Sequence, residues 1–201
     1  MKKQVVIIHG GMAFDSHKAY ILFLKNSPVD PKRWLPHRGW KDDIDLKLGK
    51  RFEVFTPQMP TKINAKYTEW KITFEKMIPF LIDDVILIGH SLGGVFLAKY
   101  LAQHTLPKKI KALILIAVPF DTEDIHEESL GDFILPSSLK KITEQIENIY
   151  LIHSKDDKVV PFKQVNKYKK TLPGSKTIVF TDRNHFNQET FPELVKLIKT
   201  I

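Results

Sequence analysis

The chain has 201 residues, of which 43% are hydrophobic and 27% charged, and it contains no cysteine. This composition is that of a globular protein, and the length suits a single α/β domain over residues 1–201 with a sizeable core. The absence of cysteine excludes disulfides, thiolate metal sites and a cysteine nucleophile, and it suits a reducing, cytoplasmic setting.

The formal net charge of +8 could indicate an acidic partner such as nucleic acid or a membrane surface. The basic residues are spread along the whole chain, however, in pairs such as Lys108-Lys109, Lys140-Lys141 and Lys169-Lys170. Such a distribution is typical of solvated helix faces and loops. Because no recognised nucleic-acid module accompanies the charge, we expect no nucleic-acid partner.

The first strand is predicted at Gln4–His9, an apolar run without polar alternation, as in a strand buried on both faces of a parallel sheet. With the preceding lysines this run superficially resembles a signal peptide, but it is too short and His9-Gly10-Gly11 interrupts it. Other apolar runs, such as Ala112–Val118, are also far too short to span a membrane. We therefore expect no membrane partner.

The least regular part of the sequence is Met12–Trp40. A short helix is predicted at Ala19–Lys25, and the prolines of Asn26–Gly39 predict a loop. Trp34 and Trp40 indicate that this loop is ordered. Two interpretations stay open at this point, since such a loop can line a pocket or simply pack on the surface.

Strands and helices alternate through the rest of the chain. Further strands are predicted at Arg51–Thr56, Asp83–Gly89, Ile110–Val118, Ile149–His153 and Lys176–Thr181. Helices are predicted within Lys41–Lys50 and at Ala65–Ile82, Val95–Gln103, Ser137–Ile146, Phe162–Thr171 and Thr190–Thr200. This alternation indicates an α/β fold with three layers, a doubly wound, mostly parallel sheet of about six strands with helices on both faces.

The third predicted strand leads into Gly89-His90-Ser91-Leu92-Gly93, which matches the pattern G-x-S-x-G. A strand before and a helix after this pattern are the context of a nucleophile elbow, where the serine lies on a sharp, strained turn. The glycines leave room where strand and helix nearly touch. An ordinary glycine-rich turn is the alternative. The context favours Ser91 as a catalytic nucleophile.

Further reactive side chains follow the carboxyl ends of later strands, where α/β sheets place their sites. Asp156 and Asp157 follow the fifth strand, and His185 follows the sixth. A serine hydroxyl needs a base, and that base needs an acid that fixes its tautomer. We predict His185 as the base and Asp157 as the acid, with Asp156 as a cap of its own turn.

The other histidines are expected to have no catalytic role. His90 is expected to point away from the Ser91 hydroxyl, and His153, at a strand end, is expected to be a packed residue. The remaining ones in loops or at helix ends are interpreted as surface residues: His17, His37, His104 and His126.

An oxyanion hole requires two N–H donors aimed at one point. The first is expected to be the amide of Leu92, the residue after the nucleophile. The second is expected to be the amide of Gly11 or Met12, in the loop after the first strand. A plain strand-ending turn is the alternative for this loop, whereas a phosphate loop would need a following Gly-Lys-Ser/Thr, which is absent.

Taken together, these motifs resemble the α/β-hydrolase superfamily, in particular the small serine hydrolases related to retinoblastoma-binding protein 9 and YdeN. The resemblance covers most of the chain and is anchored at His9-Gly10-Gly11, Gly89–Gly94, Ser154–Pro161 and Asn184-His185-Phe186. It implies that Asp157 is the catalytic acid and His185 the base. The segment between Gly11 and Trp40 is longer than is usual in this family. Without cysteine the chain also lacks a Leu-x-Cys-x-Glu motif, so a pocket-protein partner is not implied.

The sequence thus predicts a serine hydrolase that cleaves a small ester through Ser91, His185 and Asp157 by way of an acyl-enzyme, without cofactor or metal. The expected partner is a small-molecule acyl substrate, and monomer and homodimer both stay open. Alternatives are a thioesterase, amidase, acyltransferase or lyase on the same residues, or a non-catalytic binding protein with a hydrolase fold. Because Pro119–Asn148 is short for a lid, a small or exposed acyl group is favoured over a long lipid.

Overall fold

A six-stranded sheet forms the centre of the fold in the computed structural model, which describes residues 2–31, 35–123, 125 and 129–201. The strands are β1 (Lys3–Ile8), β2 (Phe52–Phe55), β3 (Val85–His90), β4 (Ile110–Ile116), β5 (Ile149–Ser154) and β6 (Lys176–Phe180). Their order is β2-β1-β3-β4-β5-β6, and all five pairings of neighbours are parallel. The chain therefore adds β2 on one side of β1 and continues outward on the other side, which confirms the predicted doubly wound sheet.

The strand register aligns the carboxyl ends of the strands along one edge of the sheet. Ile8 pairs with Gly89, and Gly89 pairs in turn with Leu115. Ser154 at the end of β5 pairs with Phe180 at the end of β6. The loops that follow β1, β3, β5 and β6 consequently leave the sheet on the same side, which brings the predicted site residues toward one another.

Helices cover both faces of the sheet, as predicted. They are α1 (His17–Asn26), α2 (Ile44–Leu48), α3 (Tyr67–Met77), α4 (Leu92–Gln103), α5 (Lys140–Gln145), α6 (Lys163–Thr171) and α7 (Pro192–Thr200). One apolar cluster joins the sheet to α3, α4, α5 and α6 and contains the fully buried Trp70 and Phe74. A second cluster joins the opposite face to α2 and α7 through Ile44 and Leu194. Because both faces are covered, every residue of β3 is buried.

Two helices differ from their predicted bounds for identifiable reasons. α4 begins at Leu92 and not at the predicted Val95. The prediction placed the start too late because Gly93 and Gly94, which favour helices poorly, lie inside the first turn. α3 ends before Pro79 and continues only as a short 3-10 turn, because proline lacks the backbone N–H that an α-helix requires.

The segment before α2 carries α1, whose first turn is capped by the Ser16 hydroxyl accepting the Ala19 N–H at 3.1 Å. α1 has no buried residue and lies on the surface. Trp40, at the end of the segment, is buried, whereas Trp34 and His126 lie outside the described residues. Within the described ranges, no helix has the length and apolar character needed to cross a bilayer.

Candidate active site

Ser91 occupies the sharp turn between β3 and α4. Its backbone has φ 53° and ψ −127°, a strained conformation for a residue with a side chain. The turn is held from both sides, since the Ser91 N–H donates to the Ile116 carbonyl at 2.9 Å and the Ser91 carbonyl accepts the Gly94 N–H at 2.8 Å. The strain is therefore supported by β4 and by the first turn of α4.

The glycines around Ser91 allow strand and helix to cross at close range. A Cβ atom at Gly89 would lie 2.6 Å from the Gly94 nitrogen, and one at Gly93 would collide with the carbonyl of Ile8 in β1. Both clashes are with backbone atoms, which cannot move aside as a side chain can. The two outer glycines of the G-x-S-x-G pattern are therefore required by the close packing at this turn.

His185 and Asp157 form a buried hydrogen-bonded pair. His185 Nδ1 lies 2.9 Å from Asp157 Oδ2 and 3.2 Å from Oδ1. Oδ1 also accepts the N–H groups of Val159 and Val160 at 2.8 and 2.9 Å, which fixes the carboxylate within its own loop. Because Nδ1 donates to the carboxylate, Nε2 is the nitrogen of the neutral ring that can accept a proton.

Asp156 contacts different groups from its neighbour Asp157. Its carboxylate accepts hydrogen bonds from the Ser154 hydroxyl and from the Asn184 N–H, the latter at 3.0 Å. The hydrogen bond from Ser154 and those from backbone amides lower the pKa of Asp156. Asp156 thus reaches beyond the turn it was expected to cap and ties the loop after β5 to the loop that carries His185.

Ser91 and His185 both line one cavity of about 650 Å³ at the carboxyl edge of the sheet. Both are buried, with 8% and 7% of their surfaces exposed, so the reactive atoms sit below the surface. Within the described residues the two side chains do not hydrogen-bond to each other. The structure thus brings Ser91 and His185 to one cavity, with Asp157 bonded to His185, and among the described residues the serine hydroxyl has no hydrogen-bond partner.

The predicted oxyanion donors differ in what their amides contact. The Leu92 N–H lies in the first turn of α4, where amides have no acceptor within the helix. The Met12 N–H, however, donates to the Lys62 carbonyl at 2.9 Å. Gly11 lines the same cavity as Ser91, and a Cβ there would lie only 2.7 Å from the Lys62 oxygen. Because the Met12 N–H is already bonded, Gly11 is the remaining alternative for the second predicted donor.

His9 anchors the loop that carries Gly11, a role that sequence reasoning missed. Its Nδ1–H donates to the Gly10 carbonyl at 2.7 Å, and its Nε2 accepts the Met59 N–H at 2.9 Å. Burial lowers the pKa of His9, which keeps the ring in this neutral form. The loop after β1 is thereby linked to the loop after β2.

His90 supports the other side of the site. Its Nε2–H donates to the backbone carbonyl of His185 at 2.8 Å, and the two ring centres lie 5.0 Å apart. Burial lowers the pKa of His90 well below the ordinary value, and the charge of Lys41 acts in the same direction. His90 is therefore a neutral ring that holds the backbone of the predicted base, which the sequence did not indicate.

His153 is packed, as expected, but it also stands beside the predicted acid. Its Nε2–H donates to the Val160 carbonyl at 2.8 Å, and the same nitrogen lies 3.6 Å from Asp157 Oδ2. Burial lowers the pKa of His153. The signal that could have revealed this contact is the spacing of four residues between His153 and Asp157 around a tight turn.

The long segment before α2 contributes to the cavity, which decides between the two interpretations left open by the sequence. Met12, His37, Gly39 and Trp40 all line it. Trp40 is buried against His90, and its indole N–H donates to the Phe186 carbonyl at 2.9 Å, next to His185. In the described part of the chain, no group of three His, Cys, Asp or Glu side chains is arranged to hold a metal ion.

Comparison with known proteins assigns the chain to a family. A family model described as serine hydrolase matches residues 35–197. The chain belongs to the serine hydrolase family. Serine hydrolase RBBP9 of Rattus norvegicus is 30% identical to this serine hydrolase over 151 residues, which cover 75% of the chain and 78% of the rat protein.

Solved structures share the fold of this serine hydrolase. The ydeN gene product of Bacillus subtilis superposes with a TM-score of 0.71 at 19% identity, covering 99% of this chain and 98% of that one. A carboxylesterase structure from Nitrososphaera gargenis has a TM-score of 0.64 at 16% identity, covering 99% and 89%. The α/β-hydrolase fold predicted from the sequence is therefore confirmed.

Proposed function

We propose that this serine hydrolase cleaves small esters through a covalent acyl-enzyme on Ser91. The observation that carries the proposal is the 2.9 Å contact between His185 and Asp157, which fixes one tautomer of an imidazole in the cavity that Ser91 lines. An imidazole held in this way is the base that a serine hydroxyl needs at neutral pH. The strained turn under Ser91 adds support, since it presents the hydroxyl at the start of α4.

In the proposed first half-reaction, the Ser91 oxygen attacks the ester carbonyl carbon while His185 Nε2 takes the hydroxyl proton. The N–H groups of Leu92 and Gly11 stabilise the negative charge that develops on the carbonyl oxygen. The bond from the carbonyl carbon to the alcohol oxygen then breaks, and the imidazolium returns its proton to that oxygen. Asp157 remains ionised throughout and stabilises the imidazolium.

In the second half-reaction, water takes the place of the departed alcohol. His185 Nε2 removes a proton from this water as its oxygen attacks the acyl carbon, and the same two amides hold the oxyanion again. The bond to Ser91 breaks and the serine oxygen regains the proton, which releases the carboxylic acid. The hydrogen bond between Ser91 and His185 forms as the substrate enters, as is common when a site closes on its ligand.

The size of the cavity supports a small substrate. A volume of about 650 Å³ is in the range of pockets that hold small molecules. Esters, thioesters and amides of the same acid would react through the same steps, so their relative rates identify the bond that is cleaved. We expect the ester to react fastest among the three.

Labelling with a fluorophosphonate probe, followed by peptide mapping, tests the proposal directly. We expect the label on Ser91, and we expect its loss in Ser91→Ala and strong reduction in His185→Ala. Circular dichroism of both variants shows whether the fold is retained. Unchanged ester hydrolysis by folded Ser91→Ala would contradict the assignment of the nucleophile.

A further inference from the structure

Two lysines line the cavity that contains Ser91 and His185. Lys41 directly follows Trp40 and precedes α2, and Lys62 lies in the connection between β2 and α3. They come from different segments of the chain, and both meet at the site. Neither has a part in the proposed ester hydrolysis.

The two ammonium groups have no carboxylate partner in the described part of the chain: no Asp or Glu oxygen lies within 4 Å of either. Asp42 also lines the cavity, but its Oδ2 accepts the Gly39 N–H at 2.6 Å. Lys41 Nζ instead lies over the Trp40 ring, 4.4 Å from its centre. Among the described residues, the cavity lining therefore has two lysines and one carboxylate. That carboxylate accepts a backbone N–H, and its attraction raises the pKa of Lys41 less than burial lowers it.

The positive charge of these lysines affects the pKa values of other groups in the site. Burial lowers the pKa of Lys41 to about 8, and repulsion from Lys62 contributes to that shift. Beyond the effect of burial, both lysines also lower the pKa of His9 and of His90. Both histidines line the cavity, so the charge of the two lysines acts on its wall from the loop after β1 to the residue before Ser91. A partly buried cavity that is lined by positive charges concentrates anions.

We propose that the substrates are half-esters of dicarboxylic acids, whose free carboxylate is bound by Lys41 and Lys62 while the ester carbonyl lies at Ser91. This inference rests on the proposed ester hydrolysis. We assign the free carboxylate to the acyl part of the substrate and not to the alcohol, because the acyl part stays bound through both half-reactions. The lysines then stabilise acylation and deacylation alike. Charge-assisted hydrogen bonds to a desolvated carboxylate are among the stronger polar contacts in proteins.

The test compares two substrates with the same leaving group, the mono-4-nitrophenyl ester of adipic acid and 4-nitrophenyl heptanoate. The measured quantity is the ratio of their kcat/KM values after subtraction of uncatalysed hydrolysis. We expect wild type to prefer the charged ester. We expect Lys41→Met to lower the ratio about tenfold and Lys62→Gln, at the more exposed lysine, about threefold.

Lys76→Gln is the matched control, because Lys76 is exposed in the last turn of α3, away from the cavity, and its loss changes net charge equally. We expect this variant to keep the wild-type ratio. Should Lys41→Met not fold, Lys62→Gln decides, because the backbone carbonyl and not the side chain of Lys62 holds Met12.

The outcomes separate the two proposals. A wild-type preference for the heptanoate, or an equal ratio in the wild type and both cavity variants, would overturn the half-ester inference while fluorophosphonate labelling of Ser91 upheld ester hydrolysis. No labelling and no turnover of either ester would overturn both. A ratio that falls in Lys76→Gln as much as in Lys62→Gln would also overturn the inference, since overall charge would then account for the preference.

Discussion

At the scale of single residues, the carboxylate of Asp157 contacts four groups of the site. One of its oxygens accepts two backbone N–H groups, and the other receives His185 and faces His153. The orientation of His185 is thus set by a carboxylate that is itself held rigidly. Rigid support of this kind determines which ring nitrogen faces the substrate.

We expect Asp157→Asn to lower kcat about 10³-fold or more with little effect on the fold. The amide oxygen can still accept the N–H groups of Val159 and Val160, which directs the NH₂ group toward His185. That contact favours the tautomer with Nδ1 unprotonated, in which Nε2 carries the proton and cannot act as base. Steady-state hydrolysis of a nitrophenyl ester measures the loss.

Asp156→Asn is the matched control for this prediction. The asparagine oxygen can still accept the Asn184 N–H, and Asp156 does not contact the imidazole, so we expect kcat to fall less than about tenfold. Equal losses in the two variants would argue against Asp157 as the acid that serves His185.

The sequence was sufficient to predict that Ser91, Asp157 and His185 lie near one another, because each lies in the loop after a predicted strand, and parallel strands end at one edge. It did not indicate that His90 holds the backbone of His185 or that Lys41 lines the cavity. His90 bonds to a residue 95 positions away, and Lys41 shares the cavity with Lys62 and Ser91 from other segments, an arrangement that no local pattern encodes. A histidine next to the nucleophile and a lysine after a tryptophan are compatible with many different environments in a folded protein.

At the scale of elements, the crossing of β3 and α4 sets the position of Ser91. The close approach requires that Gly89 and Gly93 carry no side chain. From the sequence, glycines in a helix predict its interruption, which is why local preference predicts the start of α4 at Val95 instead of Leu92. Packing against β1 overrides that local preference, and only the tertiary structure shows it.

We expect Gly89→Ala to lower the free energy of unfolding by about 2–3 kcal/mol, because the added methyl group would overlap the backbone of α4. Any relaxation must move Ser91, so activity should fall as well. Urea denaturation measures the stability of the purified variant.

Gly39→Ala provides the comparison, since a Cβ there would meet nothing nearer than 3.9 Å and its φ is not in the left-handed region. We expect its stability to stay within about 0.5 kcal/mol of wild type. Should Gly89→Ala be as stable as Gly39→Ala, the crossing would be looser than the structure indicates.

At the scale of the whole molecule, stability is expected to depend on pH through buried histidines. Burial lowers the pKa of His9, His90 and His153 in the folded state. In the unfolded chain a histidine titrates near pH ~6.5. Below that pH the unfolded state binds more protons than the folded state, so the folded state loses stability as pH falls.

We expect the free energy of unfolding to decrease between pH 7.5 and 5.5, by up to about 1.4 kcal/mol for each such histidine. His153→Gln keeps an N–H donor for Val160 and removes the titration, so its stability should decrease less over this range. Urea denaturation at both pH values measures the difference.

His17→Gln is the control, because His17 is exposed at the start of α1. This variant should show the same dependence on pH as wild type. A stability that does not change with pH in wild type would contradict the neutral, buried state of the histidines.

The hydrogen bond from His90 to His185 joins residues 95 positions apart in the chain. Ser91 follows β3 and His185 follows β6, and β4 and β5 lie between these strands in the sheet. The native position of His185 relative to Ser91 is thus set through β4 and β5, and we expect this contact of long range to form late in folding. A partly folded chain that has formed the turn at Ser91 but not the outer strands would lack the histidine that we propose as its base, so we expect it to be inactive in the proposed hydrolysis.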